Sequence, residues 1–206
     1  PPSVKAHEVR LAVQELSAAA FAHRGREQQK LHLAVLGEAK RRPFKLCVVD
    51  STGQRLNYIQ ALGMVFLLSR RLFKDTAGDQ EMVGILLPSS CLASLTNGAC
   101  LMAGKIPVNL NFTASQASLK AAIERCDMTR ILTARRFIEK QHLAPDPRMI
   151  FLEDLLEGIP RAEKAAWVVK AWLLPKWLIR RLYVGGDQTE MQDVATVIFS
   201  SGSSGE

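Results

Sequence analysis

No two cysteines of this chain stand in a CxxC spacing and no two histidines lie within a helical turn of each other. With only Cys47, Cys91, Cys100 and Cys126 available, neither a zinc site nor a disulfide framework is expected, and no metal ligand is assigned. The opening PPSVKAHEVR lacks the basic-then-apolar layout of a secretory leader, so the chain reads as cytoplasmic. The spacings GxxxxGK[ST] and GxGxxG are both missing, which excludes a Walker loop and the dinucleotide fingerprint. No repeat at a period of 20 to 50 residues and no low-complexity tract is visible, so solenoids, propellers and linker arrays drop out. Acid is the minority charge: 20 Asp and Glu against 27 Lys and Arg leave a formal net charge of +7. That bias favours phosphate-bearing partners or anionic lipid. No nucleic-acid reader motif accompanies it, and no nucleic-acid partner is expected.

What is present is an ordinary globular composition, 48% hydrophobic and 23% charged over 206 residues, enough for a real core. Residues 82–104 carry no charge and are long enough to cross a bilayer, but Pro88, Ser89, Ser90, Ser94, Thr96 and Asn97 interrupt them. A strand, a cap and a buried helix account for the same residues.

The first forty residues predict two helices, 9–22 and 28–40, with Gly25 suited to end the first. They form a helical linker or the tail of a preceding domain, residues 1–41. From Leu46 short apolar runs alternate with helix-length segments: strands at 46–50, 82–87, 106–108, 130–133 and 149–152, and helices at 58–73, 91–103, 135–141 and from a capping box at Thr113 and Gln116 to about Cys126. Strands separated by helices imply a parallel sheet with helices on its faces, so the fold class is α/β.

Residues 161–181 hold all three tryptophans and six basic residues against a single Glu163. Two readings stand open. Trp167, Trp172 and Lys170 make contact with an anionic membrane surface, at the inner face of the cell membrane, or a helical insertion packs its tryptophans on the domain's own sheet. The spacing of five residues spreads Trp167, Trp172 and Trp177 around a helix, and Pro175 should break it between the last two.

The chemistry-bearing motif is at the end. The run 194–199 reads as a buried strand feeding Ser200, Ser201, Gly202, Ser203, Ser204 and Gly205. Small residues let backbone N–H groups approach an oxyanion and hydroxyls add donors, which is what a phosphate cradle needs. A flexible Gly/Ser linker has the same composition.

These residues resemble a family. Phe199-Ser-Ser-Gly-Ser-Ser-Gly-Glu206 is similar to the phosphate-binding signature of the adenylate-forming (AMP-binding) enzymes, which include acyl-CoA synthetases, adenylation domains and luciferases. Asp50 to Gly53 with Leu56-Asn57-Tyr58 resembles the family's opening, residues 83–90 its strand and cap, and residues 98–111 its "AGKVPVNLN" segment. The resemblance covers residues 42–206 and implies the N-terminal portion of the family's large domain, cut at the phosphate loop. The wording AGKIPVNLNFTAS and the Trp-rich stretch look most like the bifunctional bacterial proteins that join a 2-acylglycerophosphoethanolamine acyltransferase to an acyl-acyl carrier protein synthetase.

The resemblance implies a ligase of lipid metabolism that joins fatty acid to ATP and then to a thiol of acyl carrier protein or coenzyme A, in phospholipid acyl turnover. ATP phosphates would be held by Ser200 to Gly205, and Mg2+ by residues outside this chain. No catalytic residue is assigned, and the fragment is expected to be inactive alone. An acyltransferase signature is missing: His142 and Asp146 have the wrong spacing, and any such residues would precede Pro1. Asn57 stands where the family usually has Thr and keeps a capping side chain. The competing reading is a non-catalytic α/β module that binds membrane or protein through the Trp-rich basic segment.

Overall fold

A computed structural model describes residues 6–22, 29–74, 81–184, 190 and 193–199. The chain divides into two compact units, Pro1–Lys30 and Leu31–Glu206. The described part of the first is one helix, α1 (Ala6–Ala22); the stop expected at Gly25 lies outside the described residues.

The second unit begins with α2 (Leu31–Arg41), which contributes Leu36 and Ala39 to the core. A five-stranded sheet follows, built from β3 (Met82–Leu86), β4 (Ile106–Asn109), β5 (Arg130–Thr133), β6 (Met149–Phe151) and β7 (Val197–Ile198) in the order β6-β5-β3-β4-β7. All four pairings are parallel, as the α/β reading requires. Adjacent residues of one strand turn to opposite faces. Leu132 joins Val83, Ile85, Phe73 and Leu152 on one side, while Ile131 joins Leu86, Val108, Ile123 and Phe137 on the other. Both faces are therefore covered, which is why the strands read as continuous apolar runs. Gly84 permits the closest of these contacts: a Cβ there would stand 3.0 Å from Met128 Sδ and 3.2 Å from Leu110 Cδ1.

The uncharged stretch 82–104 is β3, a Ser90 N-cap and α4 (Cys91–Met102). No helix of the described residues is long and apolar enough to cross a membrane. Helix α3 (Tyr58–Phe73) starts where expected, with Asn57 Oδ1 accepting from Gln60 N at 2.9 Å and Gln60 Oε1 accepting from Asn57 N at 3.0 Å. It is buried on most sides by α4, α8 (Arg161–Leu173) and α9 (Lys176–Tyr183). Gly63 makes the α3–α8 approach possible, because a Cβ there would lie 2.8 Å from Val168 Cα.

Four sequence expectations change. Residues 46–50 do not enter the parallel sheet: β1 (Leu46–Val49) pairs antiparallel with β2 (Arg55–Asn57), an unanticipated strand, across a turn closed by Gly53 at φ +82°. The cap of α5 (Gln116–Arg125) is Ser115, whose Oγ accepts from Ser118 N at 3.1 Å; Thr113 is occupied with Asn111, which takes both its N–H and its hydroxyl. A short α7 (Leu152–Leu156) follows β6 directly, and α6 (Arg135–Lys140) stops one residue early. The run 194–199 is a two-residue edge strand rather than a buried one. Val197 and Phe199 turn to the core while Ile198 is 71% exposed, the alternation of a strand covered on one side.

Candidate functional site at the carboxyl edge of the sheet

The two edges of the sheet are chemically unlike. At the amino edge Lys105, 2% exposed, meets Glu81 at 3.3 Å, and Arg130 meets the same carboxylate at 3.5 Å. These charges close that end. At the carboxyl edge β3 and β4 are neighbours whose outgoing chains leave to opposite faces, β3 into α4 and β4 into α5. Such a divergence opens a crevice, the place where open α/β sheets bind ligands.

Three features build the site there. The turn after β1 supplies Asp50, whose Oδ1 accepts from Thr52 N at 3.0 Å, Thr52 Oγ1 at 2.6 Å and Gln54 N at 3.2 Å, and whose Oδ2 accepts from Cys91 N at 3.0 Å. The Thr52 hydroxyl and the Cys91 amide hold its carboxyl well below the usual carboxylate range. With Ser90 Oγ accepting from Ala93 N at 3.2 Å, two of the free N–H groups opening α4 are taken by the protein itself. The Cys91 thiol is pushed up, first by burial and then by Asp50, so it stays protonated and is no nucleophile.

Second, an open cleft of about 810 Å³ lies between this turn and the first turns of α4, with Ser51, Ser89, Ser90, Ser94 and Asn97 among its lining. Among the described residues its lining holds one carboxylate, Asp50, and no cation. Third, Asn97 of α4 and Asn109 of β4 exchange two amide hydrogen bonds, 3.0 and 2.9 Å, and Asn97 Nδ2 also donates to Ala93 O at 2.9 Å. Asn97 has thus spent both N–H groups, so its orientation is fixed. Asn109 is in register with Ile198, and Thr196 Oγ1 donates to Pro107 O at 2.8 Å. The last described strand is bound to β4 beside this amide pair, with the chain running toward Ser200.

Ser200, Ser201, Gly202, Ser203, Ser204 and Gly205 themselves lie outside the described residues. Trp167 packs inside the unit, 8% exposed, edge-on to Tyr183 at 5.7 Å and with the Lys170 ammonium 4.6 Å over its ring. It does not face the surface on which membrane contact was expected of it, since the Gly63 gap draws α8 against α3. Trp172 is 53% exposed. Asp146 is engaged by Arg148, Nε to Oδ1 at 2.8 Å and Nη2 to Oδ2 at 2.7 Å, while His142 is exposed in a left-handed turn. Among the described residues no group of three His, Cys, Asp or Glu could hold a metal ion. Sequence reading missed the Asp50–Cys91 link and the Asn97–Asn109 pair. Their only signals were an acid opening a DSTG turn and an amide within an otherwise uncharged helix.

A family model for AMP-binding enzymes matches residues 37–206. The chain belongs to the AMP-binding enzyme family. Its fold is that of the N-terminal part of the adenylate-forming domain, as solved relatives show. O-succinylbenzoate coenzyme A synthetase from Bacillus subtilis, in complex with AMP, superposes with a TM-score of 0.61 at 17% identity, over 86% of this chain and 40% of that one. The N-terminal domain of FACL13 from Mycobacterium tuberculosis gives 0.54 at 15% identity, over 65% and 37%. A nonribosomal peptide synthetase, FmoA3 in its AMPPNP-bound form, gives 0.55 at 18% identity, over 63% and 14%. At such identities the likeness concerns the fold. This AMP-binding chain spans well under half the length of each.

Proposed function

We propose that this chain is the opening part of the ATP-binding domain of an acid–thiol ligase that activates fatty acids, and that Ser200, Ser201, Gly202, Ser203, Ser204 and Gly205 hold the β- and γ-phosphates of ATP. Residues 42–206 are that domain's share of the chain as the sequence suggests it; α2 packs Leu36 and Ala39 into the same core, so the domain takes in 31–41 as well and leaves residues 1–30 as a linker or the tail of a preceding domain. One observation supports the reading: Ile198 pairs in parallel with Asn109, so β7 ends at the carboxyl edge of the sheet next to β4, whose other neighbour is β3. The hydroxyl- and amide-lined cleft suits a polar ligand.

In the reaction a carboxylate oxygen of the fatty acid attacks the α-phosphorus of ATP, the bond to the β-phosphate oxygen breaks, and pyrophosphate leaves. A thiol of acyl carrier protein or coenzyme A then takes the acyl group and AMP departs. Loop N–H groups and hydroxyls would stabilise charge moving onto the leaving pyrophosphate, worth about 3 kcal/mol for a well-placed donor. Mg2+ would neutralise part of the same charge, and no described residue is assigned to it. The AGKIPVNLNFTAS wording supports placing the whole protein among the bifunctional acyltransferase/acyl-acyl carrier protein synthetases of phospholipid acyl turnover, working in the cytoplasm.

Fatty-acid-dependent ATP–pyrophosphate exchange, measured on the protein with its complete synthetase region, tests this. Gly202→Val with Ser203→Ala should lower the exchange about 100-fold or more. Exchange at the parental rate in that variant, or none with any fatty acid in the parent, overturns the reading.

A further inference from the structure

We propose that the corner where α2, α8 and α9 meet is a docking surface for an anionic lipid bilayer. It is separate from the carboxyl edge and does not rest on the ligase reading.

The corner is rigidly built. Lys40 Nζ donates to Ala171 O at 2.6 Å, Trp172 O at 2.8 Å and Leu174 O at 2.5 Å, so the last carbonyls of α8 are tied to the end of α2. Pro175 then turns the chain, and α9 folds back with Ile179 fully buried and Tyr183 stacked on Phe66 at 5.1 Å. With its inner face used, the outer face of α9 is fixed. At 100° per residue, Arg180 and Arg181 flank Trp177 at about 60° and 40° around the helix, and Trp177 is 65% exposed. Just before the turn Trp172 and Leu173 are exposed as well, and Phe44, 69% exposed, meets Trp172 edge-on at 6.1 Å.

Large apolar side chains left in water on a tightly packed corner require an occupant, and two features identify it. Charge is mostly of one sign: the acids of α2 and α8, Glu38 and Glu163, pair with Arg41 and Arg71, no acidic residue occurs in 39–49 or 164–184, and Arg42, Lys45, Lys170, Lys176, Arg180 and Arg181 are all exposed. The segment also offers donors and almost no acceptors. Residues 164–184 contain no Ser, Thr, Asn, Gln, Asp or Glu, so apart from the Tyr183 hydroxyl their side chains only donate, which suits a surface of phosphate oxygens. Indole rings at headgroup depth with Lys and Arg on lipid phosphates need only this composition. The two outward tryptophans are the ones that meet the bilayer; Trp167 has its place inside.

Co-sedimentation of the chain with phosphatidylcholine vesicles, with and without phosphatidylglycerol, tests the proposal. Binding should require the anionic lipid. Trp172→Ser with Trp177→Ser should weaken it about tenfold, and Lys176→Glu with Arg181→Glu at least as much, with unchanged melting curves. Should either pair disturb folding, quenching of the parent's tryptophan fluorescence by lipids brominated on the acyl chain serves instead, and a substantial fraction should be quenched with the Trp167 emission spared. Equal sedimentation of parent and folded variants, or no quenching, overturns the proposal. Capture by an acidic carrier protein without any vesicle binding overturns it too.

Discussion

The carboxyl edge of the sheet and the α8–α9 corner solve opposite problems with the same chain. At the edge the polar groups are turned on one another: Ser90 caps α4, Asp50 accepts the Cys91 N–H beside it, and Asn97 and Asn109 close an amide pair, with serine hydroxyls lining the cleft. At the corner the apolar groups are turned outward and every charge within 164–184 is positive. A site meant to orient a polar ligand must have its side chains fixed beforehand, because each loose rotamer costs affinity. A surface meant for a fluid bilayer needs area and charge but no fixed partner geometry. With the corner serving as proposed, both regions are rigid frameworks that differ in what they present, fixed polar groups at one and apolar area with positive charge at the other, and the contrast predicts where substitutions should hurt the fold.

The largest effect belongs to the inner side of the corner. Trp167→Ala removes a buried indole between Tyr183 and α3 and should cost about 3–5 kcal/mol in urea unfolding. Trp177→Ser, on the outer side of the neighbouring helix, should change stability by less than about 0.5 kcal/mol. Comparable losses from both would erase the distinction between inward and outward tryptophans. Next is the approach that creates it. Gly63→Ala sets a methyl 2.8 Å from backbone Cα of Val168, which cannot move without shifting α8, so about 1–3 kcal/mol should be lost. A neutral result would mean that α8 slides freely on α3.

The parallel order of elements was readable because each buried strand is a short apolar run and the helices that follow β2 and β3 carry their own start signals, Asn57 with Gln60 and Ser90 with Ala93. What escaped was settled by pairing rather than by local composition. Residues 46–49 have the pattern of a sheet strand, yet the DSTG turn folds them onto 55–57 as a hairpin, and nothing local to Leu46 announces that partner. Thr113 and Gln116 have capping-box spacing, but Asn111 competes for Thr113 first. The three tryptophans look equivalent by composition; a glycine one hundred residues earlier decides which is inside. At the candidate site the Ser/Gly run 200–205 lies outside the described residues, while the Asn97–Asn109 pair depends on a register between helix and strand that only the fold supplies.

That amide pair gives the next, smaller effect. Asn97→Leu leaves Asn109 half-buried without its two partners and should cost about 1–2 kcal/mol, and Asn109→Leu the same. The double substitution should cost less than the two together, since the second change removes no surviving bond. Strict additivity, measured by urea midpoints of all four proteins, would show that the pair does not act as a unit and that the edge is less preorganised than its hydrogen bonds imply.

The smallest effect near neutrality is also the most specific, because it reads the one charge among the described residues that line the cleft. Asp50 has its carboxyl held below the ordinary range by the Thr52 hydroxyl and the Cys91 amide, so the folded chain keeps it ionised at pH values where the unfolded chain, near the usual value of about 3.9, takes up a proton. A depressed acid contributes stability that is present above the unfolded value and is lost as pH falls toward the folded one. Asp50→Asn turns one oxygen into a donor facing the Cys91 N–H and has no such titration. The variant should therefore be the less stable at pH 7, and its deficit should shrink steadily between about pH 5 and pH 2 as the parent surrenders the same contribution. Parallel urea midpoints for parent and variant across that range would mean that the carboxylate's charge does not hold the β1–β2 turn on α4, and that the cleft's wall is set by backbone packing alone.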